Sequence, residues 1–322
     1  VFGFVLDFER PLVELEKKIE ELKLLADAEQ FEVKDEIQRL GKKAESLRRN
    51  IYSRLTRWQR VQLARHPDRP YTLDYVNYLL TDFIELHGDR LFADDPSIIA
   101  GMGKFRGRSL FVVGQQKGRS TKEKIRRNFG SPHPEGYRKA LRIMKLGAKF
   151  GIPIVTFVDT PGAFPGKGAE ERGQAEAIAR NIKEMASLSV PILTLVIGEG
   201  GSGGALAIAV ADRILIMENA IYSVISPEGC ASILWRDAAR SPQAAEALKL
   251  TAKDLFELGV VDGIIPEPPG GAHRRKEEAA ELVAKEIENF LEKMSGYDRE
   301  RLIQRRKEKF YKMGIYAGGG SD

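Results

Sequence analysis

Residues 195–208 read LVIGEGGSGGALAI, a stretch so poor in side chains that its chemistry must come from main-chain N–H groups. Two reactions suit such a run. Gly198, Gly200 and Gly203 match G-x-G-x-x-G, with an acidic residue, Glu218, about 20 residues further on, the pattern of a dinucleotide-binding turn. That reading makes the chain an NAD(P)-dependent oxidoreductase. The alternative is that backbone donors hold an oxygen on which negative charge develops. Position in the chain argues against the first. A dinucleotide fingerprint opens the first βαβ unit of its half, whereas two strand–loop–helix steps precede this one. The preceding step is also glycine-rich, DTPGAFPG at 159–166. Two such loops in successive units point to one site built from main-chain donors.

Other chemistry-bearing residues are few. Lys122, Lys124, Arg126 and Arg127 sit in a polar loop, KGRSTKEKIRRNFGSPHPEG, too long to be mere connection and suited to a phosphate or a partner surface. Cys230 is the only cysteine, so no intramolecular disulfide or cysteine zinc cage can form; it reads as a small structural residue. Four histidines, His66, His87, His133 and His273, are scattered without metal-ligand spacing, and no metal is expected. The net charge of +5 suits an anionic partner, with nucleic acid not expected. A hydrophobic fraction of 43%, a charged fraction of 30% and no export signal imply a globular, cytoplasmic protein with no membrane association.

The elements that would position these residues fall into three regions. Residues 1–70 read as an N-terminal helical arm. Leu12, Leu15, Ile19 and Leu22, then Ile37, Leu40, Ala44, Leu47 and Ile51, step by three and four on either side of a break near 28–33, which predicts two antiparallel helices. Such an arm cannot bury its apolar stripe alone. A helix is expected over Leu73–Leu86. Residues 71–272 form the core, opening with a hairpin, SIIAGMGKF and SLFVVGQQ about RGR. Repeated strand–turn–helix units follow: helix Tyr137–Phe150, strand IPIVTFV, helix Gln174–Ser187, strand VPILTLVI, a short helix, strand RILIME, a helix from SPEGCASILW and strand VVDGII. The class is α/β, with parallel strands under helices. Residues 273–322 read as a charged helical tail.

Taken together, FGSPHPEGYRKALRIMKLG, TFVDTPGAFPGKGAEERGQAEAIA, IGEGGSGGALAIAVAD and YSVISPEGCASILW closely resemble the α subunit of the bacterial acetyl-CoA carboxylase carboxyltransferase. The resemblance runs from LDFERPLVELEKKI through GGAHR; the closing AGGGSD has no counterpart in it. It implies a crotonase-like spiral of ββα repeats behind the helical hairpin arm. It also implies transfer of carboxylate from carboxybiotin, carried on the separate biotin carboxyl carrier protein, to acetyl-CoA, giving malonyl-CoA for fatty acid biosynthesis. A zinc-containing β subunit would complete an α2β2 heterotetramer, and α alone would be inactive. On this reading the amides of Gly203, Gly204 and Ala205 stabilise the biotin-derived oxyanion, while Gly162, Ala163, Gly200 and Gly201 line the carboxybiotin pocket. Gly204→Val is then expected to fold and lose activity. A carboxyltransferase for a larger acyl-CoA, and a non-catalytic scaffold, are the alternatives to this substrate and this role.

Overall fold

In the computed structural model, residues 3–26 and 31–314 are described; the connection between the two arm helices and the AGGGSD tail lie outside them. Helices α1 (Arg10–Ala26) and α2 (Phe31–Ser53) form the expected antiparallel pair, with Glu16 meeting Arg48 at 2.8 Å and Glu9 accepting from the Tyr52 hydroxyl at 2.5 Å. Leu12, Val13, Leu40 and Ala44 are the buried part of the stripe. The next helix, α3 (Arg57–Ala64), belongs to the body: Val61 and Leu63 are fully buried, and Arg57 is bonded to Asp254 and Glu246.

Helix α4 (Thr72–Leu79) leads directly into strand β1 (Leu80–Glu85), so the helix expected over Leu73–Leu86 is corrected to a helix and an edge strand. Leu80, Thr81, Phe83 and Ile84 suit a strand, and Asp82, at φ +53°, sits in a bulge where the helix cannot continue. Strands β2 (Ile98–Phe105) and β3 (Arg108–Gln115) are the predicted hairpin, turning on Arg106 and Gly107 in left-handed conformation.

A short helix α5 (Thr121–Arg126) replaces the middle of the long polar loop. Then α6 (Pro134–Phe150), β4 (Ile154–Thr160), α7 (Lys167–Glu171), α8 (Gln174–Met185), β5 (Ile192–Gly201), α9 (Ser202–Leu206) and β6 (Arg213–Met217) run in order. Helix α6 begins on Pro134 and stops on Gly151 at φ +69°, the usual placement of these residues at helix ends. Strand β7 (Ile221–Ser223), α10 (Pro227–Trp235), α11 (Ser241–Leu248), α12 (Ala252–Glu257) and β8 (Gly263–Ile265) complete the core.

The sheet order is β1-β2-β3-β4-β5-β6-β8, antiparallel through β3 and parallel from there, with β7 paired to the end of β5. Every residue of β4 and β5 is buried, as expected of central parallel strands covered on both faces. The C-terminal helices α13 (Lys276–Lys293) and α14 (Arg299–Tyr311) are more than a solvated tail. Val283, Ile287 and Phe290 enter the main core, and the fully buried Arg306 donates to Asp212 and to the carbonyls of Met185, Leu188 and Val190. Among the described residues, no helix is long and apolar enough to cross a membrane.

Candidate active site at a glycine seam

Strand β5 continues through Gly201, so the glycine run is strand rather than turn, and the chain swings into α9 at Ser202, whose φ of +56° is strained for a serine. Beside it runs the end of β4 and the 161–163 loop. A Cβ placed on Gly198 would lie 2.4 Å from Asp159 Oδ1. One on Gly201 would lie 2.2 Å from the Pro161 carbonyl oxygen, and one on Gly204 2.4 Å from the Ala163 nitrogen. Real side chains tolerate none of these approaches. Glycine at 201 and 204 therefore lets two main chains touch along a seam, and glycine at 198 makes room for the Asp159 carboxylate. The fingerprint reading chose 198, 200 and 203. Of those, Gly200 faces the Tyr222 ring, and a Cβ on Gly203 would meet only Ile178, at an ordinary 3.6 Å.

The seam is buttressed from below. Gln115, fully buried at the end of β3, accepts from the Asp159 N–H at 3.0 Å and donates to the Gly204 carbonyl at 2.8 Å. Asp159 is buried within β4 and accepts from the Glu199 N–H, so it joins the two strands rather than capping a turn. Lys117 Nζ lies 2.7 Å from Asp159 and 3.7 Å from Glu199, and Arg65 pairs with both Glu199 and Glu228. Burial works against the Lys117 ammonium, but the carboxylates of Asp159 and Glu199 outweigh it and carry its pKa above the ordinary lysine value. Sequence reasoning passed over Gln115, Lys117 and Arg65. Only the topology brings them under the loops.

The 161–163 loop is fixed on its other side too. The Phe164 N–H donates to the Pro132 carbonyl, the Phe164 ring stacks on His133 at 4.2 Å, and Gln174 donates to the carbonyls of Pro132 and Phe164. Gly162, at φ +145°, needs glycine's freedom.

A cavity of about 330 Å³ opens at the start of α9. Ser202, Gly203 and Leu206 form one wall; Tyr222, Val224 and Leu255 are on others, and the lining is mostly apolar. The structure thus separates the three expected donors. Gly203 borders the cavity, whereas Gly204 and Ala205 are buried in the packing of the seam. Gly200 and Gly201 are buried as well, while Gly162 and Ala163 are half-exposed. The expectation that Gly204→Val leaves the fold intact is corrected, since its side chain would press on the Ala163 backbone.

The basic cluster also divides. Lys122 and Arg126 are exposed on α5 and Lys124 is half-buried, but Arg127 is buried and donates to the Pro96 carbonyl and Glu123, a structural role. Glu218, the acidic residue of the fingerprint, accepts from the Glu267 N–H and is already engaged. Cys230 is buried in α10 against Ala231 and Ala244.

The family model described as acetyl co-enzyme A carboxylase carboxyltransferase-like matches residues 5–314. The acetyl-coenzyme A carboxylase carboxyl transferase subunit alpha of Geobacter metallireducens is 57% identical over 314 residues, covering 98% of each chain. That of Syntrophotalea carbinolica is 58% identical over 311 residues, covering 96% of this chain and 98% of its own. Among solved structures, transcarboxylase 12S superposes with a TM-score of 0.52 at 22% identity, over 67% of this chain and 42% of that one. The β subunit of P. aeruginosa geranyl-CoA carboxylase gives 0.54 at 17% identity, over 76% and 47%. The solved structures establish likeness of fold.

Proposed function

The chain belongs to the acetyl-CoA carboxylase carboxyltransferase family, on the α-subunit side, and from that premise we propose that it transfers carboxylate from carboxybiotin to acetyl-CoA, giving malonyl-CoA, with the glycine seam as the carboxybiotin site. The relatives' name makes α one subunit of a larger enzyme. A β subunit supplying most acetyl-CoA contacts and its own zinc, in an α2β2 assembly served by a biotin carrier protein, completes the proposal. The exposed Val224, Ile233 and Leu234 fit a face that a partner covers.

The observation that carries the site is the cavity beginning at Gly203, beside two main chains held rigid at van der Waals contact. Carboxybiotin bound here would supply the carboxyl group, and its ureido oxygen would carry negative charge as that group leaves. The chain's part is to offer the Gly203 and Ala163 N–H groups to that oxygen beside the mostly apolar cavity; Gly162 leaves the donor set, because its N–H is already given to the Thr160 hydroxyl at 3.1 Å. Donors that need no rearrangement at the moment of reaction are worth about 3–4 kcal/mol each. Apolar walls suit the ring system of biotin. Lys122, Lys124 and Arg126 are proposed to meet a phosphate or the partner; Arg127 is withdrawn from that set.

Gly203→Val tests the assignment, because its Cβ has room, with only the Ile178 methyl at van der Waals distance, while a branched side chain is added beside the Gly203 N–H. In the reconstituted enzyme the variant should melt and assemble normally and lose carboxyl transfer by at least ~100-fold. Full activity in a normally assembled variant would remove the cavity from the mechanism.

A further inference from the structure

We infer that Gln115 is a positioning residue for the carboxyl-transfer site, holding the two glycine loops in register through the two ends of its amide; this rests on the proposed glycine-seam site. Gln115 stands on neither loop. It is fully buried on β3, its own carbonyl anchored by the Thr72 hydroxyl at 2.6 Å. Its side-chain oxygen takes the Asp159 N–H, where β4 runs out into the 161–163 loop. Its side-chain nitrogen gives a hydrogen bond to the Gly204 carbonyl, where β5 has become α9. One planar amide thus fixes both members of the seam.

The Gly204 contact matters for a local reason. Helix α9 has five residues, and the Ile208 N–H that would serve the Gly204 carbonyl in a longer helix turns to the Ala205 carbonyl instead. Gln115 supplies the donor. Because the peptide between Gly204 and Ala205 is planar, fixing that carbonyl fixes the tilt of the first turn of α9, and with it the Gly203 backbone at the cavity. At the Asp159 end, the same amide sets how far β4 carries the loop before Gly162. Two sets of donors converging on one oxygen must keep their spacing to a fraction of an ångström. A side chain bridging both sets is the simplest brace.

Two substitutions separate positioning from mere packing. Gln115→Met keeps the volume and loses both hydrogen bonds. Gln115→Glu keeps an acceptor for the Asp159 N–H but, when ionised, has no proton for the Gly204 carbonyl. In the reconstituted enzyme, Gln115→Met should lower kcat by ~10–100-fold while KM for acetyl-CoA stays within about threefold. For Gln115→Glu, kcat relative to wild type at the same pH should climb as the pH is lowered and the new carboxyl regains its proton. Wild-type kcat in Gln115→Met, or a relative kcat for Gln115→Glu that is flat with pH, overturns the assignment. Should the methionine variant fail to assemble, the pH profile of the glutamate variant still decides. Gly203→Val, measured alongside, tells the two readings apart. If it is inactive while Gln115→Met is fully active, only the brace is wrong. If it is active, the glycine site itself falls.

Discussion

A glycine's value can be read from what a methyl group in its place would strike. Gly204 and Gly203 are neighbours with opposite answers. A Cβ on Gly204 meets backbone at 2.4 and 2.7 Å and the Tyr137 hydroxyl at 2.8 Å, none of which can move aside cheaply, whereas one on Gly203 meets an isoleucine methyl at 3.6 Å. Gly204→Ala should therefore cost about 1–3 kcal/mol in urea denaturation and part the two loops, lowering carboxyl transfer as well. Gly203→Ala should be within about 0.5 kcal/mol of wild type. Equal stabilities for the two variants would refute the close-approach account. The glycines were legible in the sequence as a run with room for close backbone approach. Which of them face protein and which face open space was not, because that depends on the neighbouring segment, Asp159–Ala163, forty residues away in sequence.

At the scale of elements, periodicity located the arm and the core strands well. Leu12 and Leu40 mark the buried stripe of the hairpin, and the unbroken apolar runs of β4 and β5 announce central parallel strands. It failed where a short segment carries two patterns. YVNYLLTDFIEL has helical spacing through Leu79 and strand composition from Leu80, and only pairing with β2 decides the boundary. It also set the end of the arm too late. Arg57, Val61, Leu63 and Arg65 are part of the body, and Arg65 reaches Glu199 under the site. Two truncations should then behave differently. Removing residues 1–54 should leave a folded core with weakened assembly. Removing 1–65 exposes the α11 and β5 surfaces that α3 covers and leaves Glu199 and Glu228 without Arg65, so it should give aggregation or loss of the cooperative melt. Indistinguishable melts would show that α3 contributes nothing to the core.

The whole molecule is closed by a contact that no local pattern announces. Glu9 before α1, His66 after α3 and His273 before α13 meet in one place, though the spacing of the histidines suggested no common site. His273 Nε2 lies 3.3 Å from Glu9 Oε1, and the two imidazoles lie 4.1 Å apart with their planes tilted by 32°. His66 donates from Nε2 to the Phe4 carbonyl and accepts the Asp68 N–H at Nδ1, so both ring nitrogens are used. Arg274 stands 3.5 Å from the same Glu9 oxygen. This contact latches arm, body and C-terminal helices together. Burial, with the neighbouring His273 second, lowers the His66 pKa from 6.5 to about 4, against the opposing pull of Glu9 and Asp68. Burial alone would raise the Glu9 carboxyl, but hydrogen bonds from His273 and Tyr52 and the charge of Arg274 win and hold it at about 2. The signs then follow. Below pH 6.5 the unfolded chain takes up a proton at His66 that the folded one refuses, so stability falls from pH 6.5 down to about 4. Glu9 adds a loss between about pH 4.5 and 2, where the unfolded carboxyl is protonated first. Urea denaturation of the assembled protein should show stability falling by about 1 kcal/mol between pH 7 and 5.5 and by roughly 3 kcal/mol at pH 4 from His66 alone. His66→Gln, which keeps a donor and an acceptor but does not titrate, should be less stable at pH 7 and should lose that slope above pH 4.5. A slope unchanged in His66→Gln would place the acid sensitivity elsewhere. If instead it vanishes, neutral His66 is what keeps the arm seated.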